Sequence, residues 1–197
     1  MPVGRAGLDR RIERLPVRPR REGWGGAPAL YGSAAVGGYG SMRTVEVIER
    51  GGILVRPLCR TFEDAVAALV DALIVNQRLP AVLRERAVRS VCEREAVAST
   101  AIVEIGVSVP HARLDGVAGV VAALAAAPSA LYYAMTGVPI SIMVLVFSAP
   151  ELVGEHLDTL AGVSMLLQSA NLRRGLEHAA DAPAALRVLR GQNGNPG

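Results

Sequence analysis

The residues with the clearest chemical potential lie in Val109-Pro110-His111-Ala112-Arg113. This string sets a histidine directly behind a stiffening proline and two residues ahead of an arginine. A histidine at a strand end is held on a rigid element yet open to a partner, which suits a nucleophile or a ligand. Imidazole can accept a phosphoryl group without a metal, provided positive charge surrounds the equatorial oxygens. Arginine supplies a permanent charge and a fork matched to those oxygens. Taken alone, His111 reads first as a turn histidine bonded to backbone. His156 lies on or beside the apolar stripe of a helix, where a packed, hydrogen-bonded ring is expected. His178, between Glu177 and Ala179 near a helix end, is assigned no role. Arg94 in isolation is a surface arginine with a carboxylate nearby.

Composition narrows what else the chain could do. With 197 residues, 51% of them hydrophobic, it is long enough for one domain with a substantial core and too apolar to be a disordered protein. Aromatics make up 4%, so Val, Leu, Ile and Ala must fill the interior. Cys59 and Cys92 are the only cysteines, which excludes a disulfide framework and a cysteine-only zinc site. A metal site on His111 and His156 lacks a third ligand, and no metal or cofactor is expected. All 21 basic residues are arginine, which excludes lysine Schiff-base chemistry and a lysine phosphate loop. The net charge of +3 is unevenly spread: residues 1–43 hold eight arginines against Asp9, Glu13 and Glu22, a net +5, leaving −2 for the rest. The main body is mildly acidic, and nucleic acid is not expected as a partner.

The elements that must position these groups follow from periodicity. Residues 1–43, rich in Gly, Pro and Arg, show no sustained apolar period and read as a disordered basic tail. They lack the continuous apolar stretch of a secretory signal, so a cytoplasmic location is expected. Thr61 opens a helix with Asp64 at the capping-box position, and Phe62, Val66, Leu69, Val70 and Leu73 share a face. Pro80 opens a second helix, with Leu83, Val88 and Val91 inward. Alternation from Ile102 to Val109 predicts a strand ending at Pro110-His111. No charge occurs from Gly116 to Pro150, but Pro128, Gly137 and Pro139 divide that stretch below the roughly 20 apolar residues of a spanning helix. Membrane insertion is therefore not expected. Ala-rich 118–127 reads as a buried helix and Pro139–Phe147 as a buried strand. Glu151–Gln168 returns to helical spacing, and a last helix starts at Asp181 with Pro183 in its first turn. Strands alternating with helices predict an α/β sandwich.

Taken together, Arg94-Glu95-Ala96, Ser99-Thr100, Gly106 and the proline-histidine block resemble the signature of a known family. It is the fructose/mannitol-type IIA (EIIA type 2) domain of the bacterial phosphotransferase system, which includes the nitrogen-regulatory IIA proteins. The resemblance continues through Val138-Pro139-Ile140 and Glu155-His156-Leu157 and covers roughly residues 45–190. It implies a domain over 44–192, a flexible terminus at 193–197, and a mixed sheet flanked by helices on both faces. It further implies a phosphohistidine carrier, a phosphotransferase component that takes a phosphoryl group from phospho-HPr onto His111. The recipient would be a IIB domain in sugar uptake, or the phosphorylated state would itself be the signal; the basic tail and the lack of an attached IIB lean toward regulation. Arg94 corresponds to the arginine that holds phosphoryl oxygens, and His156 to the histidine beside the acceptor. Ser99, Thr100 and Arg113 match positions with supporting roles.

One segment departs from the family. Ala101-Ile102-Val103-Glu104-Ile105-Gly106 has one glycine where a pair is usual and is one residue longer. An added residue in a strand turns side chains to the other face unless a bulge absorbs it. Glu104 also brings negative charge toward the pocket. This segment motivates the alternative of a regulatory binding module that keeps the fold and transfers phosphate poorly or not at all. In either case, the partner surface is expected around His111, drawing on the uncharged 116–150 region, whose Val and Leu residues equally suit a core.

Overall fold

The computed structural model describes residues 36–134 and 137–191, with side chains from residue 42 onward. Two seven-residue apolar runs need cover on both faces, and they form the middle of the main sheet. β5 (Val120–Ala126) and β8 (Ile142–Ser148) pair antiparallel from Val120 opposite Ser148 to Ala126 opposite Ile142. β1 (Ile53–Val55) adds parallel to β5. On the other side, β3 (Val107–Ser108) and β4 (His111–Arg113) both run parallel to β8, and β2 (Ala101–Ile102) pairs antiparallel with β3. The sheet is thus mixed. A separate hairpin joins β6 (Tyr132–Tyr133) to β7 (Pro139–Ile140).

Alternation along the strands divides the interior in two. Ala123, Ala125, Met143, Leu145 and Phe147 face α2 (Phe62–Val75) and α3 (Arg84–Val97), packing on Val66, Leu69, Leu73 and Val91. Ala122, Leu124, Val144 and Val146 face the other way, toward α1 (Val36–Gly51) and α4 (Val153–Gln168). α5 (Ala170–Glu177) and α6 (Ala182–Leu189) complete that layer through Leu176, Ala185 and Leu189. Helices therefore cover both faces of one mixed sheet.

Local signals near the helix starts hold. Thr61 Oγ1 accepts from the Asp64 N–H at 3.0 Å, and Asp64 Oδ2 accepts from the Thr61 N–H at 3.0 Å, a complete capping box. Asp181 caps α6 with Pro183 in its first turn. Pro80 opens a 3-10 turn, Ala81–Leu83, that runs into α3.

Three expectations change. The Ala-rich stretch 118–127 is not a helix; most of it is β5. Alanine favours helix as an isolated residue, but here its small side chains serve a strand between β1 and β8 that is closely overlaid by α1. The reason is visible at Gly51, where an added Cβ would stand 1.8 Å from the Ala122 carbonyl oxygen. Gly51→Ala must lift α1 off the sheet and should cost about 3 kcal/mol, read as a lowered urea midpoint with an unchanged slope. The continuous strand over 102–109 is instead broken by a 3-10 turn, Val103–Ile105, and by Gly106 in the left-handed region at φ 65°. The tail boundary at 43/44 falls inside α1. The remainder of the tail reading, over residues 1–35, and the flexible terminus at 193–197 lie outside the described residues.

The uncharged 116–150 region supplies core rather than surface. β5 and β8 are buried almost throughout, and among the described residues of that region Tyr133 is the exposed large apolar one. Among the described residues, no helix is long and apolar enough to cross a membrane.

Candidate functional site

The strand that carries His111 continues past Pro110. Val107 stands opposite Ile142 and His111 opposite Val146, so the register on β8 is unbroken from β3 into β4. Pro110 has no N–H to give, but its carbonyl accepts from the Val146 N–H at 3.0 Å. Among the described residues β4 pairs with β8 alone, and its other edge has no strand partner there. The long 101–106 segment is taken up before β3 by the 3-10 turn and Gly106. It therefore does not rotate His111 away from its partners.

Those partners fix the chemistry of the ring. His111 Nδ1 lies 2.9 Å from the Val109 carbonyl oxygen. A carbonyl only accepts, so Nδ1 carries the hydrogen and, in the neutral ring, Nε2 keeps its lone pair. Arg94, in the last turn of α3, places Nη2 3.0 Å from Nε2. In one ring, then, Nδ1 makes the backbone bond of a turn histidine and the unprotonated Nε2 accepts from the Arg94 guanidinium. Arg94 is exposed and has no carboxylate within salt-bridge distance among the described residues. Its expected ion-pair partner is therefore missing, and the guanidinium remains available to an anion.

His156 sits in the first turns of α4 with 6% of its surface exposed. Its ring centroid is 5.5 Å from that of His111, with the planes at 59°. Nδ1 is 2.9 Å from Ser148 Oγ at the buried end of β8. Burial holds the His156 pKa below its ordinary value, and the electrostatic influence of the neighbouring His111, Arg113 and Arg94 side chains lowers it further. The neutral ring is the stable form at pH 7. Unfolded, this histidine takes a proton as the pH falls through about 6.5, whereas folded it resists until lower pH. The unfolded chain then binds more protons, so this contribution to stability is complete above about pH 6.5 and is lost as the pH drops. In His156→Gln the urea midpoint should fall less between about pH 7 and pH 5 than in the wild type.

Arg113 is exposed on β4, two residues beyond His111 and on the same face of the strand. Ser99 and Thr100 do not reach the imidazole; both hydroxyls donate to Glu95, each at 2.7 Å. Glu104 is exposed on the 3-10 turn and forms no ion pair among the described residues. Glu95 and Ser148 are the participants that sequence reasoning left unassigned. A signal for Ser148 existed: it is the hydroxyl that ends the apolar run Ile142–Phe147, eight residues before His156. Glu95 stood inside the quoted Arg-Glu-Ala string without a task.

The site is an open face rather than a cavity. A groove of about 370 Å³ lies elsewhere, lined by Glu63, Arg84, Val88 and Cys92 among others. Exposed apolar side chains flank the histidines instead: Val97 one turn past Arg94, and Val153 and Leu157 on α4 around His156. These, and not the 116–150 region, supply the apolar surface. No group of three or more His, Cys, Asp or Glu residues able to hold a metal occurs among the described residues.

A half-buried nucleophilic nitrogen, an unpaired arginine and a second, neutral histidine suit transfer of an anionic group between macromolecules. Comparison with known proteins agrees in fold. The chain is similar in structure to the nitrogen regulatory protein IIA-Ntr from Neisseria meningitidis, with TM-score 0.59 and 20% identity over 74% of this chain and 97% of that one. It is similar to the mannitol-specific cryptic phosphotransferase enzyme IIA CmtB from Escherichia coli, with TM-score 0.58 and 16% identity over 75% and 98%. Enzyme IIAMTL of Escherichia coli, solved in complex with phosphorylated enzyme IIBMTL, gives TM-score 0.57 and 16% identity over 72% and 95%. Among curated proteins, none matches the sequence. Residues 46–191 match the family described as the phosphoenolpyruvate-dependent sugar phosphotransferase system, EIIA 2, and a match across that much of the sequence makes the chain a member of it.

Proposed function

We propose that the protein is a phosphohistidine carrier that accepts a phosphoryl group on His111 Nε2 from phospho-HPr. The observation that carries this reading is the pair of contacts on one ring: Nδ1–H on the Val109 carbonyl and bare Nε2 facing Arg94. The Nε2 lone pair attacks phosphorus in line with the donor nitrogen; the new N–P bond forms as the donor's N–P bond breaks. The donor imidazole leaves with the electron pair of that bond. His111 keeps its Nδ1 hydrogen, and the positive charge that develops on its ring is stabilised by the Val109 carbonyl. The Arg94 guanidinium balances charge on the equatorial oxygens. In the tautomer in which Ser148 donates to Nδ1 of His156, the Nε2–H of that ring donates to a phosphoryl oxygen.

The phosphoryl group then passes to a IIB partner or marks a regulatory state. The known complex of a structurally similar IIA with a phosphorylated IIB supports the former class of partner. Val97, Val153 and Leu157 provide the apolar rim such a partner would cover. The binding-module reading rested on the 101–106 segment. That segment leaves Arg94 and His111 in contact, which favours the carrier.

Intact-protein mass after incubation with phosphoenolpyruvate, Enzyme I and HPr tests the proposal. Gain of one acid-labile phosphoryl group supports it. No gain, with a folded protein and an active donor system, sinks it and returns the binding module.

A further inference from the structure

Behind the two histidines, polar groups form a chain that links α3 to the strand bearing the acceptor. The Glu95 carboxylate accepts from Ser99 Oγ at 2.7 Å, from the Thr100 N–H at 2.9 and 3.0 Å, and from Thr100 Oγ1 at 2.7 Å. Thr100 Oγ1 is 3.2 Å from Ser108 Oγ, which is fully buried on β3 three residues before His111. Beyond Ser108 lies Tyr132, whose hydroxyl is buried and forms no hydrogen bond. Burial pushes its pKa up to about 12.

The position of Glu95 is unusual for a carboxylate. It lies in the last turn of α3, where the helix dipole disfavours negative charge. It is also the sequence neighbour of Arg94, yet the two do not pair. All four of its hydrogen bonds go to residues 99 and 100, which consumes the carboxylate and closes the chain back onto the helix end.

We infer that Glu95 is a positioning residue for phosphoryl transfer: it ties the end of α3 to β3 through Thr100 and Ser108, and so holds the Arg94 guanidinium on His111 Nε2 with its remaining donors free. The inference rests on the carrier reading above. A displacement of about 1 Å in such a charge can cost up to about a hundredfold in rate.

The test is a double-mutant cycle on the initial rate of phosphoryl gain from phospho-HPr, read by intact mass. Glu95→Gln, which sets an amide donor against donors, should slow transfer about tenfold or more. In an Arg94→Ala background the same change should slow it less than about twofold, because the group it positions is gone. Equal slowing in both backgrounds would overturn the inference in favour of general destabilisation. If Glu95→Gln does not fold, Thr100→Val keeps the shape of the side chain and removes its hydroxyl, and Thr100→Ser should recover most of the rate lost. Failure of serine to do so also counts against the inference. A second readout needs no donor: the NMR order parameter of the Arg94 Nε–H should fall in Glu95→Gln and Thr100→Val. If the wild type gains no phosphoryl group, the carrier reading fails, and an unchanged Arg94 order parameter then rejects the positioning role separately.

Discussion

His111→Ala is expected to gain no phosphoryl group under conditions in which the wild-type chain is expected to gain one. This is the largest effect expected from any substitution, because it removes the atom that forms the bond. His156 does not substitute for it. That ring is 6% exposed, and its Nδ1 is engaged by Ser148. His178 bonds the Arg174 carbonyl through its own Nδ1 in a different part of the fold. Intact mass with and without acid treatment reads the result directly. A stable phosphoryl gain in His111→Ala would assign the acceptor to another residue. Thermal unfolding controls for the fold, and a small change is expected, since His111 is only half-buried on an edge strand. His156→Ala should slow transfer without abolishing it.

Arg94→Ala is expected to slow phosphoryl gain by about a hundred- to a thousandfold while leaving the protein folded. The size follows from removing one preorganised charge at the place where negative charge is transferred. The side chain is exposed and makes no ion pair among the described residues, so its loss leaves no buried group unsatisfied. Arg94→Lys should recover only part of the rate, because an ammonium keeps the charge and loses the planar fork. The measurement is the pseudo-first-order rate of mass gain at fixed donor concentration. A slowing below about threefold would mean that the 3.0 Å contact with His111 carries little of the barrier.

The candidate site is legible in the sequence mainly through the family resemblance of its motif blocks, since residue types and spacing alone leave His111 a turn histidine, His156 a packed ring and Arg94 a surface arginine. The Pro110-His111 step marks a strand boundary, Arg94 falls near the end of a helix, and His156 falls near the start of another. Chain-local features elsewhere are similarly legible, including the Thr61–Asp64 capping box and the Asp181 cap with Pro183. Each depends on atoms no more than four residues apart, so local chemistry determines it.

What stays hidden is whatever depends on distant packing. The alanines of 118–127 carry a helical preference, and only their place between two strands, with α1 pressed on their backbone, makes them a strand. The apolar 116–150 stretch has the composition of a docking surface or a core. Burial on both faces of the sheet makes it core, and moves the exposed apolar rim to Val97, Val153 and Leu157. The 101–106 segment could have turned His111 away; it folds as a 3-10 turn ended by left-handed Gly106, and the register on β8 is kept from β3 into β4. Glu95 gains a task only when Thr100 and Ser108 are brought beside it.

The sequence by itself determined the α/β class and, through its family resemblance, singled out the histidine proposed to react and the arginine proposed to stabilise charge. Tertiary structure alone decided which His111 nitrogen carries no hydrogen, since the Val109 carbonyl takes the hydrogen of the other. It likewise decided that Arg94 faces that nitrogen instead of a carboxylate, and that His156 is held neutral beside it. Bond-forming capacity is a property of residue type, whereas tautomer, charge state and distance are set by neighbours that the fold brings together.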